Sequence, residues 1–241
     1  MQVGAENLGP IKLGESKLGL ITARIAAASR AAGRDPAAVS LLAASKGQTI
    51  DAMVRLAAQG QRAFGENYVQ EALPKMAALA DLNLSWHFIG RLQANKTREI
   101  ATRFSWVHSV DRPRLAWRLN EQRPDHLPPL DCCIEVNISG EASKSGVVHA
   151  HALADLVAAF RPLARLRLRG FMALPALTPD PDLQRAGFRR LRELLASHAG
   201  ALDTLSMGTS VDYAAAIAEG ATIVRIGTAL FGPRGRDRPP T

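Results

Sequence analysis

The chain has 241 residues, of which 47% are hydrophobic, and this composition favours a folded protein with a sizeable core. Its 30 lysines and arginines exceed its 22 acidic residues, which leaves a formal net charge of +8. The excess is mostly arginine scattered over helical stretches, without an uninterrupted basic run or aromatic residues interleaved with one. A general attraction to anions is therefore indicated, and a nucleic-acid interface is not.

Cys132 and Cys133 are adjacent and are the only cysteines, which argues against a disulfide framework. Neighbouring strand residues point to opposite faces, so we expect two small apolar residues in a reducing compartment. No stretch approaches the ~20 apolar residues that a membrane span needs, and residues 1–16 lack the apolar segment of a secretory signal. We expect a cytoplasmic protein that does not bind membranes.

Hydrophobic periodicity predicts an opening helix over Lys17–Ala32, which Gly33 ends, and then a strict alternation of strands and helices. The predicted strands are Val39–Ser45, Ala63–Gly65, Trp86–Ile89, Trp106–Val110, Cys132–Ile138, Leu166–Met172, Thr204–Met207 and Thr222–Ile226. The predicted helices between them are Ile50–Gln59, Tyr68–Ala80, Lys96–Thr102, Arg112–Gln122, His149–Phe160, Pro181–Ser197 and Tyr213–Ala218.

Such alternation predicts a parallel sheet with helical crossovers, and eight strand–helix units are what a closed barrel requires. The main rival is a doubly wound open sheet, but the turn after the first strand reads Lys46-Gly47-Gln48-Thr49 and lacks the glycine-rich fingerprint of that fold. We therefore predict a single α/β domain over residues 17–233, a (β/α)8 TIM-type barrel with an extra N-terminal helix. Residues 1–16 and 234–241 are expected to be disordered.

Function in such a barrel is concentrated where the strands end, and unusual residues occur there. Lys46 closes the first strand, and a lysine at the mouth of a buried strand can be desolvated, which lowers its pKa and frees its amine for an aldehyde. Ser210, Gly227 and Thr228 follow the last two strands and offer hydroxyl and backbone N–H groups to a phosphate. An amine and an anion cradle at one mouth suit pyridoxal 5′-phosphate (PLP).

The same residues have simpler interpretations. Turns use serine, threonine and glycine for their own backbone geometry, and a lysine that ends a strand is most often just solvated. A barrel whose basic rim binds a sugar phosphate, without any cofactor, is therefore the alternative.

Arg225 interrupts an apolar strand, so its guanidinium must find an acceptor. One interpretation is an ion pair inside the barrel with a carboxylate such as Glu135. The other places Arg225 against the ring nitrogen of the cofactor, where an always-charged donor keeps that nitrogen unprotonated and weakens the ring as an electron sink. Asn67 and His87 are either packing residues or direct contacts, and the HxH pair at His149 and His151 has no further ligands for a metal.

Several motifs together closely resemble the pyridoxal phosphate homeostasis protein family. They are Phe64-Gly65-Glu66-Asn67-Tyr68-Val69-Gln70-Glu71, Trp86-His87-Phe88-Ile89-Gly90, Leu92-Gln93 with Asn95-Lys96, Val136-Asn137-Ile138-Ser139 with Ser143-Lys144-Ser145-Gly146, and Val224-Arg225-Ile226-Gly227-Thr228-Ala229. The resemblance covers residues 17–233, and the family is similar to the N-terminal barrel of alanine racemase. It implies a Schiff base between PLP and Lys46, Arg225 at the ring nitrogen, and Ser210, Gly227 and Thr228 at the phosphate. We also place Asn67, His87 and Met207 in the cofactor site, and no metal.

The chain departs from the family pattern at the rim of the site. Gly47-Gln48-Thr49 stands where the family usually has a second basic residue and a proline, Val211 replaces an acidic residue, and Gly90-Arg91 replaces a common Gly-Pro or Gly-His step. These changes bear on ligand preference at the rim and leave the core of the site in place.

The resemblance implies binding, buffering and delivery of PLP within vitamin B6 homeostasis, with apo-enzymes as recipients. We expect little amino-acid turnover, because alanine racemases take their second catalytic base from a domain that this chain lacks. We also expect a monomer. A weak PLP-dependent racemase is the alternative.

Overall fold

A computed structural model describes residues 16–176, 178, 180–198, 200 and 202–232. The expected disorder of residues 1–15 and 234–241 falls outside the described residues. Ser16, which we had placed in the N-terminal extension, caps the first helix, because its side chain accepts a hydrogen bond from the Gly19 amide at 3.0 Å.

Eight strands and nine α-helices make up the described part of the chain. The strands are β1 (Ser40–Ala44), β2 (Ala63–Glu66), β3 (Ser85–Phe88), β4 (Trp106–Val110), β5 (Leu130–Glu135), β6 (Leu166–Met172), β7 (Thr204–Ser206) and β8 (Ile223–Ile226). The helices are α1 (Lys17–Ala31), α2 (Ile50–Ala58), α3 (Val69–Ala78), α4 (Thr97–Arg103), α5 (Pro113–Gln122), α6 (Ala150–Phe160), α7 (Pro181–Ser197), α8 (Tyr213–Ala218) and α9 (Thr228–Phe231).

The strands form a closed barrel in chain order, and every neighbouring pair is parallel. The seam between β1 and β8 pairs Leu42 with Arg225. The predicted (β/α)8 barrel is therefore confirmed, and the open doubly wound sheet is excluded. The extra helix is also present: α1 packs against α8 and α9.

The fifth strand differs from its prediction, because it begins at Leu130 and ends at Glu135 instead of running to Ile138. Beyond Glu135 the chain folds back on itself: the Asn137 amide donates to the Val147 carbonyl at 3.0 Å, and the Asn137 side chain donates to the Glu141 carbonyl at 2.8 Å. A side chain that satisfies loop carbonyls competes with continued strand pairing. The helix α9 was also not predicted, since a single turn gives no measurable periodicity.

Strand residues alternate between two packing regions. Outward-facing aromatic rings fill the space under the helices: Phe64 lies 6.2 Å from Trp86 between ring centroids, and Phe88 meets Phe104 edge-on at 5.5 Å. At the amino-terminal end of the barrel, the Arg169 guanidinium lies 5.0 Å from the Trp106 ring centroid and pairs with the Asp131 carboxylate of β5 at 3.5 Å. The opposite, carboxyl-terminal end is left open.

Gly90 fixes the distance between the ends of β2 and β3. A Cβ atom at this position would lie 2.0 Å from the Asn67 carbonyl oxygen, which belongs to the backbone and cannot rotate away. The segment that carries Asn67 therefore needs glycine opposite it.

We expect Gly90→Ala to lower the free energy of unfolding by about 3 kcal/mol, because the two strand ends must separate to admit the methyl group. Gly187→Ala is the control: it lies inside α7, where its nearest new contact is a proline side chain at 3.3 Å and alanine favours the helix. Its change should stay within about 1 kcal/mol. Urea unfolding measures both, and equal losses would contradict this explanation.

Candidate functional site

A cavity of about 730 Å³ occupies the open end of the barrel, where the strands end. Its walls include six of the eight residues that we predicted for the cofactor site: Lys46, Asn67, Ser210, Arg225, Gly227 and Thr228. They come from four strand ends that are far apart in sequence. The closed barrel thus brings the predicted amine and the predicted anion cradle to one cavity.

His87 and Met207 are not among the residues that line this cavity. His87 belongs to β3 two residues before Ile89, which does line the cavity, so its ring lies one layer deeper in the barrel. Met207 is completely buried directly after β7. The structure thus separates these two residues from the other six.

The loop that carries Lys46 is attached on both sides of the lysine. The preceding Ser45 amide donates to the Gly65 carbonyl at 2.9 Å, and the following Gly47 amide donates to the Glu71 carboxylate in a short hydrogen bond. Lys46 itself is partly buried. The Lys46 side chain therefore extends from a backbone that is held in place.

A buried ionic cluster outside the barrel wall stabilises this attachment. The Lys75 ammonium on α3 donates to the Ser45 carbonyl and the Glu66 carboxylate, both at 2.8 Å, and to Glu71 at 2.7 Å. The Ser45 hydroxyl also donates to Glu66 at 2.7 Å. Burial raises the pKa of Glu66, and the hydrogen bonds from Lys75 and Ser45 oppose that rise. Sequence patterns did not indicate this cluster. The signal that could have indicated it is Lys75, a lysine on the flank of the predicted helix that packs inward.

We expect Lys75→Met to cost about 3–5 kcal/mol of unfolding free energy, because it leaves the buried Glu66 carboxylate without its cation. Adding Glu66→Leu to that variant should recover part of the loss, since the unpaired charge is removed as well. Arg165→Met provides the control, because Arg165 pairs with Asp125 on the surface, where side-chain exposures are 41% and 80%. Its cost should stay below about 1 kcal/mol. A double variant less stable than Lys75→Met would refute the charge explanation.

The anion side of the cavity is built from the loops after β7 and β8. The Ser210 hydroxyl accepts from the Ala229 amide at 3.4 Å, which joins the two loops. The Asp212 carboxylate accepts from the amide and hydroxyl of Thr209 at 2.6 and 2.8 Å. Within the described part of the chain, the backbone amides of Ser210 and Thr228 find no acceptor. These amides are therefore available to an anion.

Arg225 lies beside these loops, because it belongs to β8 and its amide donates to the Gly208 carbonyl at 2.9 Å, and only 6% of its surface is exposed. Its Nη1 donates to the carbonyl and hydroxyl oxygens of Ser206 at 2.5 and 2.8 Å, and its Nη2 donates to the Ala173 carbonyl at 2.9 Å. Burial lowers the pKa of Arg225 to about 10, and the nearby carboxylates of Asp212 and Glu135 act in the opposite direction. Arg225 therefore stays charged at neutral pH.

Of the two interpretations of Arg225, the ion pair with Glu135 is not formed within the described ranges. Ser206 of β7 and Ala173, which directly follows β6, accept the hydrogen bonds of Arg225 instead. Burial and the neighbouring Asp111 raise the pKa of Glu135 to about 7. Glu135, predicted only as an ion-pair partner of Arg225, is thus a titratable group near the site.

No three histidine, cysteine or acidic side chains converge on a metal-sized space in the ranges that the structure describes. Cys132 and Cys133 are both buried as free thiols, and burial raises their pKa values above the usual range for cysteine. None of the helices within the described ranges is long and apolar enough to cross a bilayer.

Comparison with known proteins agrees with this geometry. Residues 17–235 match the family model for the alanine racemase N-terminal domain. The pyridoxal phosphate homeostasis protein of Pseudomonas aeruginosa is 58% identical over 219 residues, which are 91% of this chain and 95% of that protein. The structure of PipY from Synechococcus elongatus with PLP bound superposes with a TM-score of 0.76 at 36% identity, covering 88% of this chain and all of that one.

The barrel and its site thus place the chain in the class of alanine racemase N-terminal domains. Within that class, the match to the Pseudomonas aeruginosa protein covers nearly the full length of both chains, and this extent identifies the family. The chain belongs to the pyridoxal phosphate homeostasis protein family.

Proposed function

We propose that this protein binds PLP as a Schiff base with Lys46 and serves in vitamin B6 homeostasis as a buffer or carrier. The observation that carries the proposal is that Lys46, Arg225 and the loops after β7 and β8 line one cavity. PLP presents an aldehyde, a ring nitrogen and a phosphate. Their counterparts in this cavity are Lys46, Arg225 and the loops after β7 and β8.

The residues present fit this cofactor. Asn67 lines the cavity, and its buried Oδ1 has no hydrogen-bond partner among the described residues, so this side chain has unused polar capacity at the cavity wall. A Cβ at Gly227 would come within 3.2 Å of the Ala44 carbonyl oxygen, so glycine lets β8 end close against β1. We propose that Ser210, Gly227 and Thr228 hold the phosphate, that Arg225 faces the ring nitrogen, and that Asn67 contacts the ring. His87 and Met207 support this site from below.

The chemistry of the walls favours retention over turnover. PLP catalyses amino-acid reactions when its protonated ring withdraws electrons. Arg225 donates hydrogen bonds but does not transfer its proton at neutral pH, so a ring nitrogen beside it stays unprotonated. The other cavity lysine among the described residues, Lys144, is paired with Glu141 and donates to the Leu174 carbonyl at 3.2 Å. It is therefore poorly placed to act as a free second base, and we infer a binding protein.

The remaining parts of the proposal concern the surroundings of the protein. A reversible imine lets PLP pass to apo-enzymes, which we propose as its recipients, with the protein acting as a monomer. The two buried thiols suit a reducing, cytoplasmic environment.

Lys46→Ala should abolish the visible absorption band that forms when the purified protein is incubated with PLP. Lys144→Ala is the matched control, because it removes the other described lysine of the same cavity. Its band should persist. Borohydride reduction followed by peptide mass spectrometry should locate the cofactor on Lys46. Label on Lys144 or on several surface lysines would overturn the proposal.

Turnover is tested with the holoprotein in deuterated water and single L-amino acids. A carrier should exchange no α-proton above the rate of free PLP, since Arg225 weakens the electron sink. NMR of the amino acid reports the exchange. Sustained catalytic exchange by the wild type, lost in Lys46→Ala, would favour the racemase alternative.

A further inference from the structure

A column of polar side chains runs through the barrel interior beneath Arg225. The Ser206 hydroxyl, which Arg225 contacts, lies 2.8 Å from His108 Nδ1. His108 Nε2 lies 2.9 Å from His87 Nδ1, and His87 Nε2 lies 3.1 Å from the Ser85 hydroxyl. Three of these side chains, Ser206, His108 and His87, are at most 5% exposed. Most TIM-type barrels fill this volume with branched apolar side chains, so the column needs an explanation.

The lower end of the column is fixed by a backbone carbonyl. The Ser85 hydroxyl lies 3.0 Å from the Ser105 hydroxyl, and the Ser105 hydroxyl donates to the Trp86 carbonyl oxygen at 3.0 Å. A carbonyl can only accept, so the Ser105 proton is committed there. The proton between Ser85 and Ser105 must then come from Ser85.

The upper end is fixed by Arg225, whose guanidinium can only donate. The Ser206 hydroxyl therefore accepts from Arg225 and has one proton to give, and His108 Nδ1 is the acceptor next to it. His108 then carries its proton on Nε2 and donates it to His87. His87 in turn carries its proton on Nε2 and donates it to Ser85.

In this direction every contact of the column contains one proton. The reverse direction would leave the buried Ser206 hydroxyl proton without an acceptor and one contact of Ser105 without a proton, and each such loss is unfavourable in a dry interior. Both imidazoles must be neutral. Burial accordingly lowers the pKa of His87 to about 3 and that of His108 well below its usual value.

We propose that the column of His87, His108 and Ser206 is a positioning device that orients the guanidinium of Arg225 toward the cavity. By taking the Ser206 proton, His108 turns the serine lone pairs toward Arg225. A guanidinium has five N–H donors, and the hydrogen bonds to Ser206 and Ala173 use three of them. Two donors remain, in a fixed plane, for a ligand atom. The effect on PLP rests on the proposed function, whereas the orientation itself does not.

The orientation is tested first without cofactor. In ¹⁵N-labelled apoprotein, NMR should show His87 and His108 as neutral imidazoles protonated on Nε2. His108→Leu breaks the column and should shift or broaden the Arg225 Nε–H signal. His108→Gln should restore that signal, since an amide can accept from Ser206 and donate to His87. Nδ1-protonated imidazoles, or an unchanged arginine signal in His108→Leu, would overturn the proposal.

The consequence for the ligand is tested by PLP titration. His108→Leu and Ser206→Ala should both weaken PLP binding about tenfold and shift the visible band. Ser206→Ala removes the hydroxyl that accepts a hydrogen bond from the charged Arg225, and His108→Leu removes the acceptor that orients this hydroxyl. Ser206→Ala removes a single oxygen atom and serves where His108→Leu does not fold. Unchanged affinity and band position in Ser206→Ala would refute the role.

Leu156→Ala tests whether a loss of stability alone changes PLP affinity and the visible band. Leu156 is 1% exposed on α6, outside the barrel wall, so this variant is destabilised without contact to the column. Its band position and affinity should match the wild type, and a shift equal to that of Ser206→Ala would overturn the proposal. If the wild type itself bound no PLP, the proposed function would fail, and the NMR signals would still decide whether the column orients Arg225.

Discussion

A guanidinium buried inside a closed barrel is stable only if the protein replaces the water that it has lost. The barrel does this for Arg225 with uncharged acceptors, namely the two oxygen atoms of Ser206 and the Ala173 carbonyl. Because these acceptors carry no net charge, the guanidinium keeps its positive charge and its remaining donors.

This solvation explains why the interior of the barrel is polar. Ser206 needs somewhere to place its proton, His108 accepts it, and the requirement passes through His87 to Ser85 and finally to a backbone carbonyl. A polar column is favourable in a low-dielectric interior only when all its members are satisfied. The need to solvate one charged side chain, Arg225, therefore explains the series of neutral polar side chains beneath it.

The other side of the cavity is held by different means. Lys46 extends from a loop whose neighbouring residues are anchored by Lys75, Glu66 and Glu71 outside the barrel wall. Here charges of both signs meet, because nothing in that cluster has to remain available to a ligand. The amine and the arginine are thus supported by different side chains.

Local patterns in the sequence determined the barrel. The period of apolar residues located all eight strands to within three residues at either end. Of the residues that line the cavity, Arg225 lies within the last strand, and Lys46, Asn67, Ser210, Gly227 and Thr228 follow strands. In a parallel barrel all strand ends meet at one mouth, so a pattern read along the chain becomes a prediction about space. The roles of Lys46 and of its partners toward PLP came from the family resemblance and remain proposals.

Only the tertiary structure decided what lies between those residues. His108 meets Ser206 across 98 residues of sequence, and Lys75 meets the Ser45 carbonyl across 30. The tilt and closure of the barrel set such contacts, and no local period records them. The same geometry placed His87 and Met207 outside the cavity wall, although both lie near strand ends, because alternation and depth along a strand decide which side chains reach the mouth.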